Sequence, residues 1–230
     1  MEGMNVTTTG YDFRPAHAAM QRYVDENLLS GFSSAVLVGR DLVDVKCIGW
    51  ADKEAQTPLQ VDHIFRVFSN TKLVTSYAAL LLFEEGRLQL DDPIEQRLSG
   101  GSGLVSTLPD MVALIRSLLP GGPTLLKPDT IELMMTNQLP EDVWIRFAAF
   151  GELRGRGHGL AGALILEPSA FDHQDARGEL FWGGRAGTQW WISPKKNTVG
   201  LIMAQREMAF VHPVGVEFKR LAYEAVKRKR

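Results

Sequence analysis

Ser69 and Lys72 stand three positions apart, as Ser-Asn-Thr-Lys, at the head of a long apolar run. Residues three apart on a helix share a face, so this spacing brings a hydroxyl within reach of an amine. Such an amine can take the hydroxyl proton and leave a nucleophile, and the amides at a helix start can stabilise the oxyanion that forms. Ser-x-x-Lys is weak by itself, and Ser69 also fits a plain helix N-cap. A second match, Ser193 with Lys196, falls in Ser-Pro-Lys-Lys-Asn, where both read as solvated turn residues. What distinguishes the first is the segment behind it. Residues 71–85 are good helix formers, apolar on nearly every side until Glu84 and Glu85, and Gly86 can stop them. This predicts a helix buried in the middle of the protein, where an unpaired ammonium is costly.

Competing chemistries find less support. No Gly-x-Ser-x-Gly elbow occurs, and His17, His63, His158, His173 and His212 are scattered without a zinc-type His-x-x-x-His pair. Asp172, His173 and Asp175 read as a solvated loop rather than a metal site. Neither Gly-x-Gly-x-x-Gly nor a P-loop follows a strand, so no cofactor and no metal are expected. The single cysteine, Cys47, excludes an internal disulfide and reads as a buried thiol. A formal net charge of −2 gives no field to recruit nucleic acid or an anionic membrane surface. The basic tail 227–230 reads as a helix end whose cations suit the dipole. With no secretory pattern at the first residues and no run of 18 apolar residues, a cytoplasmic location is the expectation.

The elements that must position Ser69 and Lys72 follow from periodicity. The chain has 230 residues, 45% hydrophobic and 23% charged, which suits one globular domain. Phe13, Ala16, Met20, Val24 and Leu28 recur at helical spacing. Residues 32–38 and 42–48 are β-rich runs around Gly39-Arg40-Asp41, a hairpin. Thr107 with Asp110 reads as a capping box before a helix ending at Pro120, and residues 128–136 predict another helix. Strands are predicted over 143–150, 159–166, 179–182, 188–193 and 199–205, and residues 214–226 form a closing helix. The order predicts an antiparallel sheet with helices on both faces and the two chain ends meeting on one side.

Four stretches in sequence order carry a resemblance: Phe65-Arg-Val-Phe-Ser-Asn-Thr-Lys72, Glu85-Gly-Arg-Leu-Gln-Leu-Asp-Asp-Pro93, Gly159-Leu-Ala-Gly162, and Phe181-Trp-Gly-Gly184 with Gly187. Together they resemble the serine β-lactamase and penicillin-binding-protein superfamily, most of all the class C β-lactamase-like carboxylesterases, or family VIII esterases. The resemblance implies an α/β (α+β) fold: a β-lactamase-like antiparallel sheet flanked by N- and C-terminal helices, with a buried nucleophile helix. It makes Ser69 the acylated nucleophile and Lys72 its activating partner. Trp182, Gly183 and Gly184 take the place of the superfamily's Lys-Thr-Gly strand and line the substrate pocket. The backbone N–H groups of Ser69 and Arg185 form the oxyanion hole. With Trp182 where a lysine is usual, a cation suited to carboxylate-bearing substrates is missing, and small carboxylic esters are the expected substrates.

The sequence departs from that pattern after Pro93. The superfamily carries a helical subdomain there, with a tyrosine that works beside the lysine. Here Tyr11, Tyr23, Tyr77 and Tyr223 stand outside any such motif, and the helical subdomain reads as deleted. The expected layout is a single β-lactamase-like domain, 1–230, with an N-terminal segment 1–96, a Gly-rich junction 97–103 and a C-terminal segment 104–230. The implied function is a serine hydrolase acting through an acyl-enzyme on Ser69, its activity reduced by loss of the tyrosine. A shortened, non-catalytic scaffold that binds a ligand or partner is the alternative, and a β-lactamase or D-alanyl peptidase the third reading. Apart from the ester substrate, the expected partner is a second copy of the chain, covering surface bared by the shortening.

Overall fold

The computed structural model describes residues 4–7, 10–92, 100–148, 151–207 and 212–227. Helix α1, Arg14–Asp25, buries Ala16, Met20, Tyr23 and Val24 along one face, as the spacing requires. Strands β1 (Gly31–Val38) and β2 (Asp41–Asp52) form the expected hairpin, turned at Gly39, whose φ of 58° suits glycine. Thr57–Pro58 (β3) edges β2, and Phe65–Arg66 (β4) leads through a 3-10 turn, Phe68–Asn70, into α2, Thr71–Glu84. Gly86, at φ 69°, stops that helix. Val105–Ser106 (β5) pairs with β4 ahead of α3, Leu108–Arg116, and α4, Pro128–Met134. Arg146–Phe147 (β6) and Gly151–Glu152 (β7) form a separate short hairpin. Then come β8 (Arg156–His158), β9 (Ala163–Ile165), β10 (Leu180–Gly183), β11 (Gln189–Ser193), β12 (Thr198–Ala204) and α5 (Val214–Lys227).

Eight strands form one sheet in the order β3-β2-β1-β12-β11-β10-β9-β8, every neighbouring pair antiparallel. Strands β1 and β12, at its centre, are buried almost throughout, because helices cover both faces. On one face Leu73, Tyr77 and Leu80 of α2 and Leu108, Met111 and Ile115 of α3 pack with Leu37, Trp190 and Leu201. On the other, Met20 of α1 and Phe218 of α5 pack with Phe32, Val36, Trp191 and Ile202. The two ends meet there as expected: Arg22 pairs with Glu217 at 3.1 Å, and Tyr23 Oη donates to the same carboxylate at 2.5 Å.

Several expectations are corrected. Helix α2 is buried on one side only. Val74 and Leu81 remain 36% and 37% exposed, so its apolar composition exceeds what the described residues cover. Ser193 is not a solvated turn residue; it ends β11 fully buried, while Lys196 pairs with Asp175 at 2.6 Å. Cys47 is half-buried rather than enclosed, and burial pushes its thiol up from the ordinary range. The strand predicted at 143–150 shrinks to β6, because Val143 and Phe147 are exposed and pairing reaches only Gly151–Glu152. The strand predicted at 159–166 starts only at Ala163, since Gly159 N–H turns back to Gly162 O at 2.8 Å. Residues 149–150 of the first, the segment 93–96, residues 97–99 of the junction and the tail 228–230 lie outside the described residues.

Candidate active site

Ser69 is presented on a constrained backbone. Phe68, the residue before it, has φ 46°, a left-handed conformation that is strained for a bulky side chain. The surroundings hold it there. Val67 N–H donates to Leu104 O at 3.1 Å, and Val67 O accepts from the buried Thr188 hydroxyl at 3.1 Å and from Asn70 N–H at 3.0 Å. One residue earlier, Gln205 at the end of β12 bonds both the N–H and the carbonyl of Arg66, each at 3.1 Å. Three elements therefore fix the segment that delivers the serine to the start of α2. Asn70, in the N-cap position, makes no side-chain cap; the 3-10 turn serves instead, with Asn70 N–H on Val67 O and Thr71 N–H, the first amide of α2, on Phe68 O.

Lys72, one turn into the helix, donates from Nζ to Ser69 Oγ at 3.3 Å and to Gly101 O at 3.0 Å. Burial lowers its pKa from the ordinary 10.5, which raises the fraction carrying a free lone pair near neutrality. The Gly-rich segment supplies the second contact. Thr75 Oγ also donates to Gly100 O at 2.5 Å, and Leu104 N–H donates to Thr71 Oγ at 3.2 Å, so residues 100–104 are laid along the first turns of α2. Read from sequence as a bare junction, this stretch is a wall of the site where it is described.

Strand β10 forms the facing wall. Trp182 borders, with Lys72, a cavity of about 350 Å³ whose other lining includes Gly101, His158, Leu160 and Ala161. Gly184 lies so close to the serine's strand that a Cβ there would come 2.4 Å from Val67 O and 2.3 Å from Thr188 Oγ. Only glycine allows that approach. The turn that follows uses Gly184 N–H on Thr188 O at 2.6 Å and Gly187 N–H on Gly184 O at 3.0 Å. Gly183 pairs with Gln189 within the sheet, and the exposed Arg185 side chain pairs with Glu207. The structure thus brings Ser69, Lys72, Trp182 and Gly184 together, with Gly183 and Arg185 flanking them.

The four tyrosines are elsewhere. Tyr77 is buried in the core with its hydroxyl on Ser117 Oγ at 2.7 Å, and burial pushes its pKa up to about 12. Tyr23 donates to Glu217 of α5, Tyr223 on α5 donates to Glu179, and Tyr11 packs edge-on against Phe13 at 6.4 Å. None borders the Lys72 cavity. His158, passed over in the sequence as one of five scattered histidines, does. The signal that could have found it is its place directly before Gly159-Leu-Ala-Gly162, one of the stretches that carry the resemblance.

A helix headed by Ser69 against an antiparallel sheet, with β10 facing it, is the β-lactamase-like arrangement, and this chain has that fold. Residues 16–102 match the sequence model of the Beta-lactamase family. Among curated proteins, Acyltransferase calJ of Penicillium decumbens is 31% identical over 140 residues, covering 53% of this chain and 33% of the relative. Lovastatin esterase of Penicillium rubens is 34% identical over 115 residues, 44% of this chain and 28% of the relative. The aligned segment thus spans about a third of the length of either relative. Among solved structures, EstCE1, a hydrolase with promiscuous acyltransferase activity, superimposes with a TM-score of 0.77 at 13% identity, covering 90% of this chain and 97% of that one. Unliganded simvastatin synthase from Aspergillus terreus gives 0.79 at 16% identity, covering 93% and 98%. At such identities these two likenesses are likenesses of fold.

Proposed function

We propose that this protein is a serine acyl hydrolase that cleaves small carboxylic esters through an acyl-enzyme on Ser69. The observation that carries the reading is the contact of Lys72 Nζ with Ser69 Oγ at 3.3 Å, with the ammonium destabilised by burial. Lys72 takes the hydroxyl proton as Oγ attacks the ester carbonyl, then returns it to the departing alkoxide. The amides of Ser69 and Arg185 receive the oxyanion. In this reading Trp182, Gly183 and Gly184 border the bound ester, and the apolar wall that Trp182 shares with Leu160 and Ala161 favours an uncharged acyl group.

The names of the relatives favour a second reading of the same site, transfer of the acyl group to an alcohol instead of water. Both share the acyl-enzyme. The test is hydrolysis of p-nitrophenyl acetate and butyrate, and of a β-lactam, with Ser69→Ala and Lys72→Ala beside the parent, plus intact-mass detection of a fluorophosphonate adduct. Ester turnover with an adduct, both abolished in Ser69→Ala, is the expected result. Turnover unchanged in Ser69→Ala overturns the mechanism. An adduct without turnover marks a slow enzyme lacking its tyrosine, and neither would leave the non-catalytic scaffold.

A further inference from the structure

The cavity bordered by Lys72 holds two nitrogen bases, and Lys72 is the one that reaches Ser69 Oγ. His158, on β8, borders the same space. Its Nδ1 lies 2.5 Å from the carbonyl of Gly159. A carbonyl oxygen only accepts, so Nδ1 carries the proton and Nε2 is left with the lone pair. The residue is held in place: its ring packs edge-on against Trp182 at 5.5 Å, its backbone N–H donates to Asn137 Oδ1 at 3.0 Å, and its carbonyl accepts from Gln138 N–H at 2.8 Å. Gly159 is held by its own N–H on Gly162 O at 2.8 Å and by the next residue's N–H on Met134 O at 3.1 Å. An imidazole of fixed tautomer is thereby built, beside Trp182, into the wall of the cavity that Lys72 also borders.

We propose that His158 is the general base of the second half-reaction, activating the water or alcohol that removes the acyl group from Ser69. This rests on the acyl-enzyme reading above. In acylation Lys72 receives and then gives up the serine proton, ending as a neutral amine. In deacylation His158 Nε2 takes the proton of the acceptor hydroxyl as its oxygen bonds to the acyl carbon. The C–Oγ bond breaks with its electron pair going to Oγ, which regains a proton from Lys72 as the imidazolium gives its proton back, by way of water in the shared cavity, to that amine. The two bases divide the work, one for each nucleophile.

The test measures burst and steady-state phases with p-nitrophenyl butyrate, and acyl-adduct lifetime by intact mass, for the parent, His158→Phe and His158→Asn. Phenylalanine keeps the ring against Trp182, and asparagine keeps a donor for Gly159 O, so either one that folds suffices. The expected result is an unchanged burst with deacylation slowed about 10²- to 10⁴-fold, the span of a general base. Hydroxylamine, which attacks through its nitrogen before losing a proton, should clear the adduct equally fast from parent and variants. A variant that deacylates like the parent overturns the proposal. So does one that loses burst and turnover alike, or that slows hydroxylamine by the same factor, since those mark a structural role. Absence of any Ser69 adduct on the parent and on both His158 variants overturns the acyl-enzyme reading itself, and His158's role with it.

Discussion

At the residue scale, Lys72 couples reactivity to stability. Its folded-state pKa lies below its ordinary 10.5, so between those two values the unfolded chain binds more protons than the folded one. Stability contributed by this residue therefore rises with pH through that window, and below it the cost of holding the ammonium is present in full. In the proposed mechanism the same deprotonation arms the base, so the acylation rate should rise with pH through the lowered pKa and level off above it. Lys72→Met should lose about 10²- to 10⁴-fold in the rate of fluorophosphonate labelling. It should also melt at a higher temperature than the parent at pH 7, with the gap closing as the pH approaches 10. Equal melting at both pH values would show that burial imposes no cost on Lys72. The neighbouring strain at Phe68 belongs to the same local arrangement: residues 66–70 are held by Gln205, Thr188 and Leu104 in a conformation they would not choose alone.

At the scale of elements, the site depends on two backbones meeting. The end of β10 touches Val67 through Gly184, and Gly184→Ala must push them apart. We expect a loss of about 1–3 kcal/mol in chemical denaturation, the usual range for overpacking, together with slower labelling of Ser69. Thr107→Ala is the contrasting control. Thr107 caps α3, accepting from Asp110 N–H at 3.3 Å and donating to its carboxylate at 2.8 Å, away from the cavity. It should cost about 1 kcal/mol with the labelling rate unchanged. These elements differ in how plainly the chain announces them. Helices α1, α3 and α5 and the pairing of β1 with β2 are legible because periodicity, caps and turn glycines agree. Strands β7 and β8 are not, being two and three residues long with no alternation to read. Nor is the contact of Lys72 with Gly101 O, which is made to a backbone atom and leaves no residue-type signature. His158 is hidden for another reason: a lone histidine acquires meaning only from what the fold sets around it.

At the scale of the whole molecule, α5, the last helix, is tied to the sheet that carries the candidate site. Glu179, fully buried just before β10, accepts from Lys219 Nζ and from the Tyr223 hydroxyl, both on α5. Burial and the adjoining carboxylate push the Tyr223 pKa up, which keeps that hydroxyl a donor. Lys219 also lies 5.6 Å from the ring centroids of both Phe181 and Trp191, so its charge is shared between a carboxylate and two aromatic faces. Removing one partner of a buried ion pair is worse than removing both, because the survivor keeps its desolvation cost without compensation. Lys219→Met should therefore destabilise the protein by about 3–5 kcal/mol, leaving Glu179 buried beside only the tyrosine. Glu179→Gln should cost less, since the Lys219 side chain is 20% exposed and its ammonium can still reach water and the two rings. The double variant should be more stable than Lys219→Met alone. Urea denaturation of the four proteins gives the coupling energy directly, and strict additivity of the two single changes would show that α5 is held by packing, with no contribution from the ion pair.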